Sequence, residues 1–183
     1  MCGIAGFAPR DNEQLPDPAM LQRMVASLHH RGPDGTGLHI GAGIGLAHAR
    51  LSIIDLSTGG QPMRNETGSV WVTFNGEIFN HVELRAELIA LGHQFHTSSD
   101  TEVIVHAYEQ FGLDFVEVLN GQFSIALWDA EARRLVLARD RVGIRPLVYS
   151  ETSHGLVFAS EAKAIFASKL VRPSLDPVGL AEV

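Results

Sequence analysis

The stretch 121–159, GQFSIALWDAEARRLVLARDRVGIRPLVYSETSHGLVFA, decides the fold class. Four short apolar runs, Gln122 to Trp128, Leu135 to Ala138, Leu147 to Tyr149 and Leu156 to Ala159, follow one another with turn residues between them. Runs of this length bounded by turn signals predict strands. Toward the N-terminus, Leu38, Ile40, Ala42, Ile44 and Leu46 alternate with His39, Gly41, Gly43 and Gly45, a period-two pattern that predicts a strand or hairpin. Val70 to Phe74 and Ile4 to Phe7 add two more short strands.

Between these strands lie helical patterns. Asp17 can cap a helix running to His30, with Pro18 at its first position and Gly32 after its end. Asn80 and Glu83 have capping-box spacing ahead of Leu84, Leu88 and Leu91 on one helical face, and Gly92 stops that helix. Ser99 and Glu102 repeat the spacing ahead of Ile104, Ala107, Tyr108 and Phe111, which end at Gly112. A last helix, Glu161 to Ala167, takes Ser160 as its cap. Strands outnumber helices, and the helices sit in the middle and at the end, so the pattern predicts an α+β domain with sheets covered by helices. The 183 residues suit a single domain, 1–183, and 45% hydrophobic content suffices for its core.

The charge balance, 14 Lys plus Arg against 21 Asp plus Glu for a net -7, gives no reason to attract nucleic acid or anionic lipid. No apolar run approaches the roughly 18 residues of a membrane span, and the N-terminus lacks the pattern of an export signal. A single cysteine excludes an internal disulfide and a multi-cysteine zinc site, and it fits the cytoplasm. The nine histidines show no metalloprotease spacing, so no metal is expected, and His29-His30 reads as a cap for helix carbonyls. Gly41, Gly43 and Gly45 lack the spacing and following helix of a dinucleotide loop. Arg139, Arg141 and Arg145, with Asp140 among them, read as a charged turn.

The one cysteine is residue 2. A thiol is mostly protonated at neutral pH and needs a base to act as a nucleophile. If Met1 is removed, as is usual before a small residue, the freed α-amine of Cys2, with an ordinary pKa of about 7.7 to 8.0, can take the thiol proton. Cys2 could equally be a small apolar residue at the start of a strand. Asn75 and Gly76 offer a side-chain amide and a backbone N–H suited to an oxyanion, although Asn-Gly is also a hairpin turn. The helix pattern after Glu77 disfavours the turn. Arg50 could be a surface charge, and Asp100 an acid favoured in the first turn of a helix.

Taken in order, Met1-Cys2-Gly3-Ile4-Ala5-Gly6, Arg31-Gly32-Pro33-Asp34, Arg50-Leu51-Ser52-Ile53-Ile54-Asp55, Asn75-Gly76-Glu77-Ile78 and Ser99-Asp100-Thr101-Glu102 resemble the class II glutamine amidotransferases. Asn120-Gly121-Gln122-Phe123-Ser124, Arg139-Asp140-Arg141-Val142-Gly143 and Phe158-Ala159-Ser160-Glu161 extend the likeness, which is strongest to the N-terminal glutaminase domain of glutamine-hydrolysing asparagine synthetases. The resemblance implies a four-layer αββα N-terminal-nucleophile hydrolase sandwich with two mainly antiparallel sheets. It implies that Cys2 is nucleophile and base, that Asn75 and Gly76 form the oxyanion hole, that Arg50 holds the α-carboxylate of L-glutamine and that Asp100 holds its α-ammonium. Leu51, Ser52, Ile53, Ile54 and Glu77 are implied to complete the pocket.

Phe79 stands where the family often has Tyr, and Ala49 where Glu is common. No Ser-Gly-Gly-Leu-Asp-Ser loop for ATP follows, so the chain is expected to be one domain of a longer parent. The resemblance implies a C-terminal synthetase domain that uses ATP and magnesium and receives the ammonia, no cofactor for this domain, and a homodimer as one possible assembly. The alternatives are a glutaminase domain of another amidotransferase and a non-catalytic module of the same fold. With Met1 retained, the nitrogen of Cys2 is a peptide nitrogen and the Met1 side chain is expected near the glutamine site.

Overall fold

A computed structural model of the chain describes residues 1–52, 59–175 and 177. Strands β1 (Gly3–Pro9), β2 (Gly35–Gly41), β3 (Ile44–Arg50), β8 (Val148–Thr152) and β9 (Gly155–Ala159) form one sheet in the order β2-β3-β1-β9-β8. Strands β4 (Met63–Arg64), β5 (Val70–Ile78), β6 (Gly121–Asp129) and β7 (Arg134–Arg139) form a second, in the order β4-β5-β6-β7. Every pairing is antiparallel.

The period of two along each strand sends alternate residues to opposite faces, and this builds the layers. Ala5 and Phe7 of β1 point outward into a cluster with Met20, Leu21, Met24 and Val25 of α1 (Pro18–Ala26) and with Ala164 and Ile165 of α5 (Ala162–Ala167). Ile4 points inward, where it meets Ile44 and Leu46 of β3, Ala126 and Trp128 of β6 and Phe158 of β9 between the two sheets. Ile125 and Leu127 of β6 face the other way, toward α2 (His81–Ala90), α3 (Asp100–Phe111) and α4 (Phe115–Val118). The result is the expected four-layer αββα sandwich.

Local signals were legible to different degrees. Asp17 caps α1 as expected, accepting from Ala19 N at 2.9 Å and Met20 N at 3.2 Å. The helix stops at Ala26 rather than His30, where the Ser27 hydroxyl turns back onto Met24 O at 2.6 Å. Neither capping box closes in the expected form. Asn80 makes no cap bond; its amide spans Val118 O and Asn120 N, both at 2.9 Å, and so ties α2 to the approach to β6. Ser99 does cap α3 through Thr101 N at 3.2 Å, but Glu102 turns to His96 N, Thr97 N and the Thr97 hydroxyl. Ser160 does not cap α5. Its hydroxyl accepts from Ile4 N at 3.0 Å, and Glu161 takes the cap position.

Outside the sheets, His106 of α3 is 1% exposed and is surrounded by Glu66, Glu102 and Glu109, with Glu109 Oε2 2.8 Å from its Nδ1. Burial alone pushes the His106 pKa down, but these carboxylates outweigh it and hold it at about 9. His93, His106 and Glu109 present ligand-type atoms within 4.8 Å of one another. Those atoms are engaged with each other, and Glu109 also accepts from Asn65. Because the folded pKa lies above the unfolded value of about 6.5, protonated His106 stabilises the fold below that pH, and its contribution is lost as pH rises through 9. The contribution is on the order of 2 to 3 kcal/mol. Urea unfolding at pH 7 and pH 10 is expected to show the loss, and His106→Phe is expected to flatten that slope.

Candidate active site

Cys2 lies just before β1, and Gly3 pairs with Ala49 of β3, so the chain leaving β3 passes alongside the cysteine. Leu51 brackets the thiol: its N–H donates to Sγ at 3.4 Å, and its carbonyl faces Sγ at 3.6 Å. The turn after α1 holds both segments. Arg31 Nε donates to Cys2 O at 2.9 Å, while Asp34 Oδ2 accepts from Ser52 N at 2.7 Å. Arg31 is anchored in turn by Glu161 Oε1 at 2.9 Å, and His30 also binds that oxygen, at 3.0 Å, instead of capping helix carbonyls. Burial raises the Glu161 pKa, but hydrogen bonds from Arg31, Lys163 and His30 prevail and bring it to about 2, so it is an anion at neutral pH.

The facing wall comes from β5. Asn75 and Gly76 are not a hairpin turn; the expected strand Val70 to Phe74 runs on to Ile78, with Asn75 opposite Ser124 and Gly76 opposite Phe123. Phe123 spends both its N–H and its carbonyl on the Asp140 side. Gly76 and Phe123 are therefore a non-hydrogen-bonded pair, and the N–H groups of Phe74, Gly76 and Ile78 point to the open edge of β5. Gln61 Oε1 takes that of Phe74 at 2.7 Å, and Asp100 Oδ2 takes that of Ile78 at 3.1 Å. The N–H of Gly76 lies between them at the cleft. A Cβ at residue 76 would fall 2.1 Å from Gln122 O, so only glycine allows the sheet to close here. The Asn75 side chain is 2% exposed, and its Nδ2 has no hydrogen-bond partner among the described residues.

Asp100, the first residue of α3, forms the third wall and is 4% exposed. Burial pushes its pKa up, and the Ile78 N–H and the nearby His81 offset part of that shift. A carboxylate so placed gains from any cation that reaches it.

Of the residues expected at the site, Cys2, Arg50, Leu51, Asn75, Gly76, Glu77 and Asp100 line one cleft. Ser52 is not part of its lining; its N–H is committed to Asp34. Ile53 and Ile54 lie outside the described residues. Sequence reasoning missed His48, Gln61, Thr101 and Arg145, which also line the cleft. Arg139 and Asp140 do organise a charged turn, in which Asp140 accepts from Ile144 N at 2.8 Å and Arg145 N at 3.0 Å and Arg139 donates to Gly143 O and Arg145 O. The turn delivers Arg145 to the cleft, where it touches the sulfur of Met1.

Two antiparallel sheets sandwiched between helical layers are the N-terminal-nucleophile hydrolase fold that the resemblance implied. Solved structures of that fold agree. The glutamine phosphoribosylpyrophosphate amidotransferase of Bacillus subtilis superposes with a TM-score of 0.73 at 22% identity, over 92% of this chain and 44% of that one. A structure described as the allosteric regulatory enzyme of purine biosynthesis gives 0.75 at 24%, over 92% and 43%.

A family model described as a glutamine amidotransferase domain matches residues 1–183, and the chain belongs to that family. Among its relatives, asparagine synthetase [glutamine-hydrolyzing] 2 of Bacillus subtilis is 48% identical over 171 residues, 91% of this chain and 22% of that protein. The asparagine synthetase [glutamine-hydrolyzing] of Zea mays is 45% identical over 166 residues, 90% of this chain and 28% of that protein. The chain thus spans about a quarter of the length of these relatives.

Proposed function

We propose that this chain hydrolyses the side-chain amide of L-glutamine to L-glutamate and ammonia. In a longer parent, the ammonia passes to a synthetase domain that uses ATP and magnesium to make asparagine. The observation that supports this reading best is Asn75 Nδ2, without a hydrogen-bond partner among the described residues, beside the Gly76 N–H that faces the open edge of β5, in the same cleft as Cys2. Arg50 and buried Asp100 in that cleft offer one group for each charge of a zwitterionic amino acid.

In the proposed reaction the free α-amine of Cys2 takes the thiol proton, and the thiolate attacks the δ-carbonyl of glutamine. Asn75 Nδ2 and Gly76 N–H stabilise the resulting oxyanion. The α-ammonium returns the proton to the departing nitrogen, and ammonia leaves a γ-glutamyl thioester on Cys2. Water, deprotonated by the same amine, then hydrolyses the thioester to glutamate. Nucleophile, base and oxyanion donors all come from the chain, so this half-reaction calls on no cofactor.

Among the described residues no helix is long and apolar enough to cross a membrane. The cytoplasm, where the substrates of the parent reaction are made, is the proposed location.

The test is ammonia and glutamate release from L-glutamine by protein shown by mass measurement to begin at Cys2, together with capture of the γ-glutamyl adduct on that residue. Absence of turnover in folded, processed protein defeats the proposal in favour of a non-catalytic module. Asn75→Ala is expected to lower kcat about 100-fold to 1000-fold with KM little changed, because an oxyanion donor acts mainly in the transition state. Full activity in a folded variant would return Asn75 to a structural role.

A further inference from the structure

Between the sheets the core changes character along its length. At one end it is apolar, with Ile44 and Leu46 of β3 facing Trp128 and Ala126 of β6. Continuing along the same inward faces toward the cleft, β3 presents His48 in place of a third aliphatic residue, β6 presents Ser124, and β5 presents Thr73 and then Asn75. All four are at most 2% exposed. Both ring nitrogens of His48, Thr73 Oγ1, Ser124 Oγ and Asn75 Nδ2 are without a hydrogen-bond partner among the described residues.

These residues come from three strands yet share one region. Asn75 and Ser124 are register partners across β5 and β6, and Thr73 stands two residues from Asn75 on the same face. His48 lies across the gap against the backbone of Phe74, the residue between Thr73 and Asn75. His48 and Asn75 both line the cleft beside Cys2. Buried polar groups are nearly always satisfied, and a group of them that cannot reach one another directly is the usual setting of an interior water with two to four partners.

We propose that His48, Thr73 and Ser124 form a polar chamber behind the oxyanion site that holds ordered water, and that His48 is a positioning residue which, through this water, orients the Asn75 amide. Burial, helped by the charge of Arg50, brings the His48 pKa down to about 4, and the nearby Phe74 backbone, which favours the protonated ring, opposes this only in part. The ring is therefore neutral at working pH and offers one donor and one acceptor. That is what a bridge between a hydroxyl and an amide requires. A charged imidazolium here would have two donors and would repel Arg50.

The inference rests on the glutaminase reading for its kinetic consequence but not for the water itself, so two measurements separate them. A crystal structure of processed protein at atomic resolution is expected to show water within hydrogen-bonding distance of His48 and at least one of Thr73, Ser124 and Asn75. A dry chamber, or a His48 ring bonded only to protein atoms, overturns the proposal whatever the enzyme does. In kinetics, His48→Leu is expected to lower kcat about 10-fold to 100-fold with KM and melting temperature near those of the parent. His48→Gln, which keeps a donor and an acceptor, is expected to recover most of the loss. Unchanged kcat in His48→Leu overturns the positioning role, as does a joint loss of kcat, KM and thermal stability that His48→Gln fails to relieve. If the parent protein releases no ammonia, the glutaminase reading has failed and the crystallographic result still decides the water site.

Discussion

Protein that retains Met1 is expected to release ammonia from glutamine at least about 1000-fold more slowly than protein that begins at Cys2. General-base assistance accounts for roughly 100-fold to 10,000-fold in such reactions, and here the base and the nucleophile share a residue. A peptide nitrogen at Cys2 has no lone pair available for the thiol proton. His48 lies within the cleft, but burial holds that ring near pKa 4, too weak a base to ionise a thiol efficiently. Retained Met1 adds a steric term. Its side chain lines the cleft and its sulfur touches Arg145, in the same space as Arg50, Asn75 and Asp100.

The two terms can be separated. Adding one glycine ahead of a processed Cys2 removes the free amine without restoring the methionine side chain, and it is expected to leave the protein as slow as the Met1 form. Mass spectrometry of each preparation, paired with ammonia release before and after aminopeptidase treatment, gives the measurement. Robust turnover by protein that quantitatively retains Met1 excludes the free-amine mechanism.

How much of this was legible in the sequence depended on how far apart the interacting residues are. The short apolar runs Gln122 to Trp128 and Leu156 to Ala159, bounded by turn residues, mark β6 and β9 locally. Asp17 and Ser99 cap their helices because each bond reaches only two or three residues ahead. Asn80 and Ser160 carried the same local signal and were recruited elsewhere, Asn80 across 40 residues to Asn120 and Ser160 across 156 to Ile4. A side chain with one strong acceptor serves whichever backbone donor is buried and unmet, and only the folded chain decides which that is.

The site divides along the same line. Cys2, Arg50, Asn75, Gly76 and Asp100 were readable because they sit in short motifs whose order along the chain resembles a family. Periodicity alone left Asn75-Gly76 ambiguous, and the structure resolves it through the pairing of Phe123 with Asp140 on the far side of β6. His48 carried no local signal. In sequence it is one member of an alternating strand, and its meaning comes from facing Thr73 and Asn75 across the sandwich. Arg31, 29 residues from the Cys2 carbonyl and 130 from Glu161, was visible as part of a motif but not as the anchor of the cysteine.

Cys2→Ala is expected to abolish turnover while leaving glutamine binding within a few-fold of the parent, and Arg50→Ala and Asp100→Ala are expected to do nearly the reverse. The thiol forms the bond that defines the reaction, so its loss removes the covalent pathway rather than weakening it. Arg50 and Asp100 line the same cleft, and in the proposed reaction they meet the α-carboxylate and α-ammonium rather than the atoms of the breaking bond. Truncating either one leaves a ligand charge buried and unpaired, which costs about 2 to 5 kcal/mol, or roughly 30-fold to several thousand-fold in the glutamine concentration required. Asp100 also accepts the Ile78 N–H at 3.1 Å, so Asp100→Asn is the cleaner variant. It keeps an acceptor for β5 while removing the charge, and its melting temperature reports whether the strand edge is intact. In the parent, an arriving ammonium favours the ionised form of Asp100, whose pKa burial has raised, so glutamine binding is expected to weaken as pH falls toward the Asp100 pKa. Asp100→Asn is expected to lose that dependence. Calorimetric titration of glutamine into Cys2→Ala protein, alone and combined with Arg50→Ala or Asp100→Asn, measures binding without turnover. Equal affinity in all three proteins would remove Arg50 and Asp100 from substrate recognition, and ammonia release by verified Cys2→Ala protein would remove the thioester.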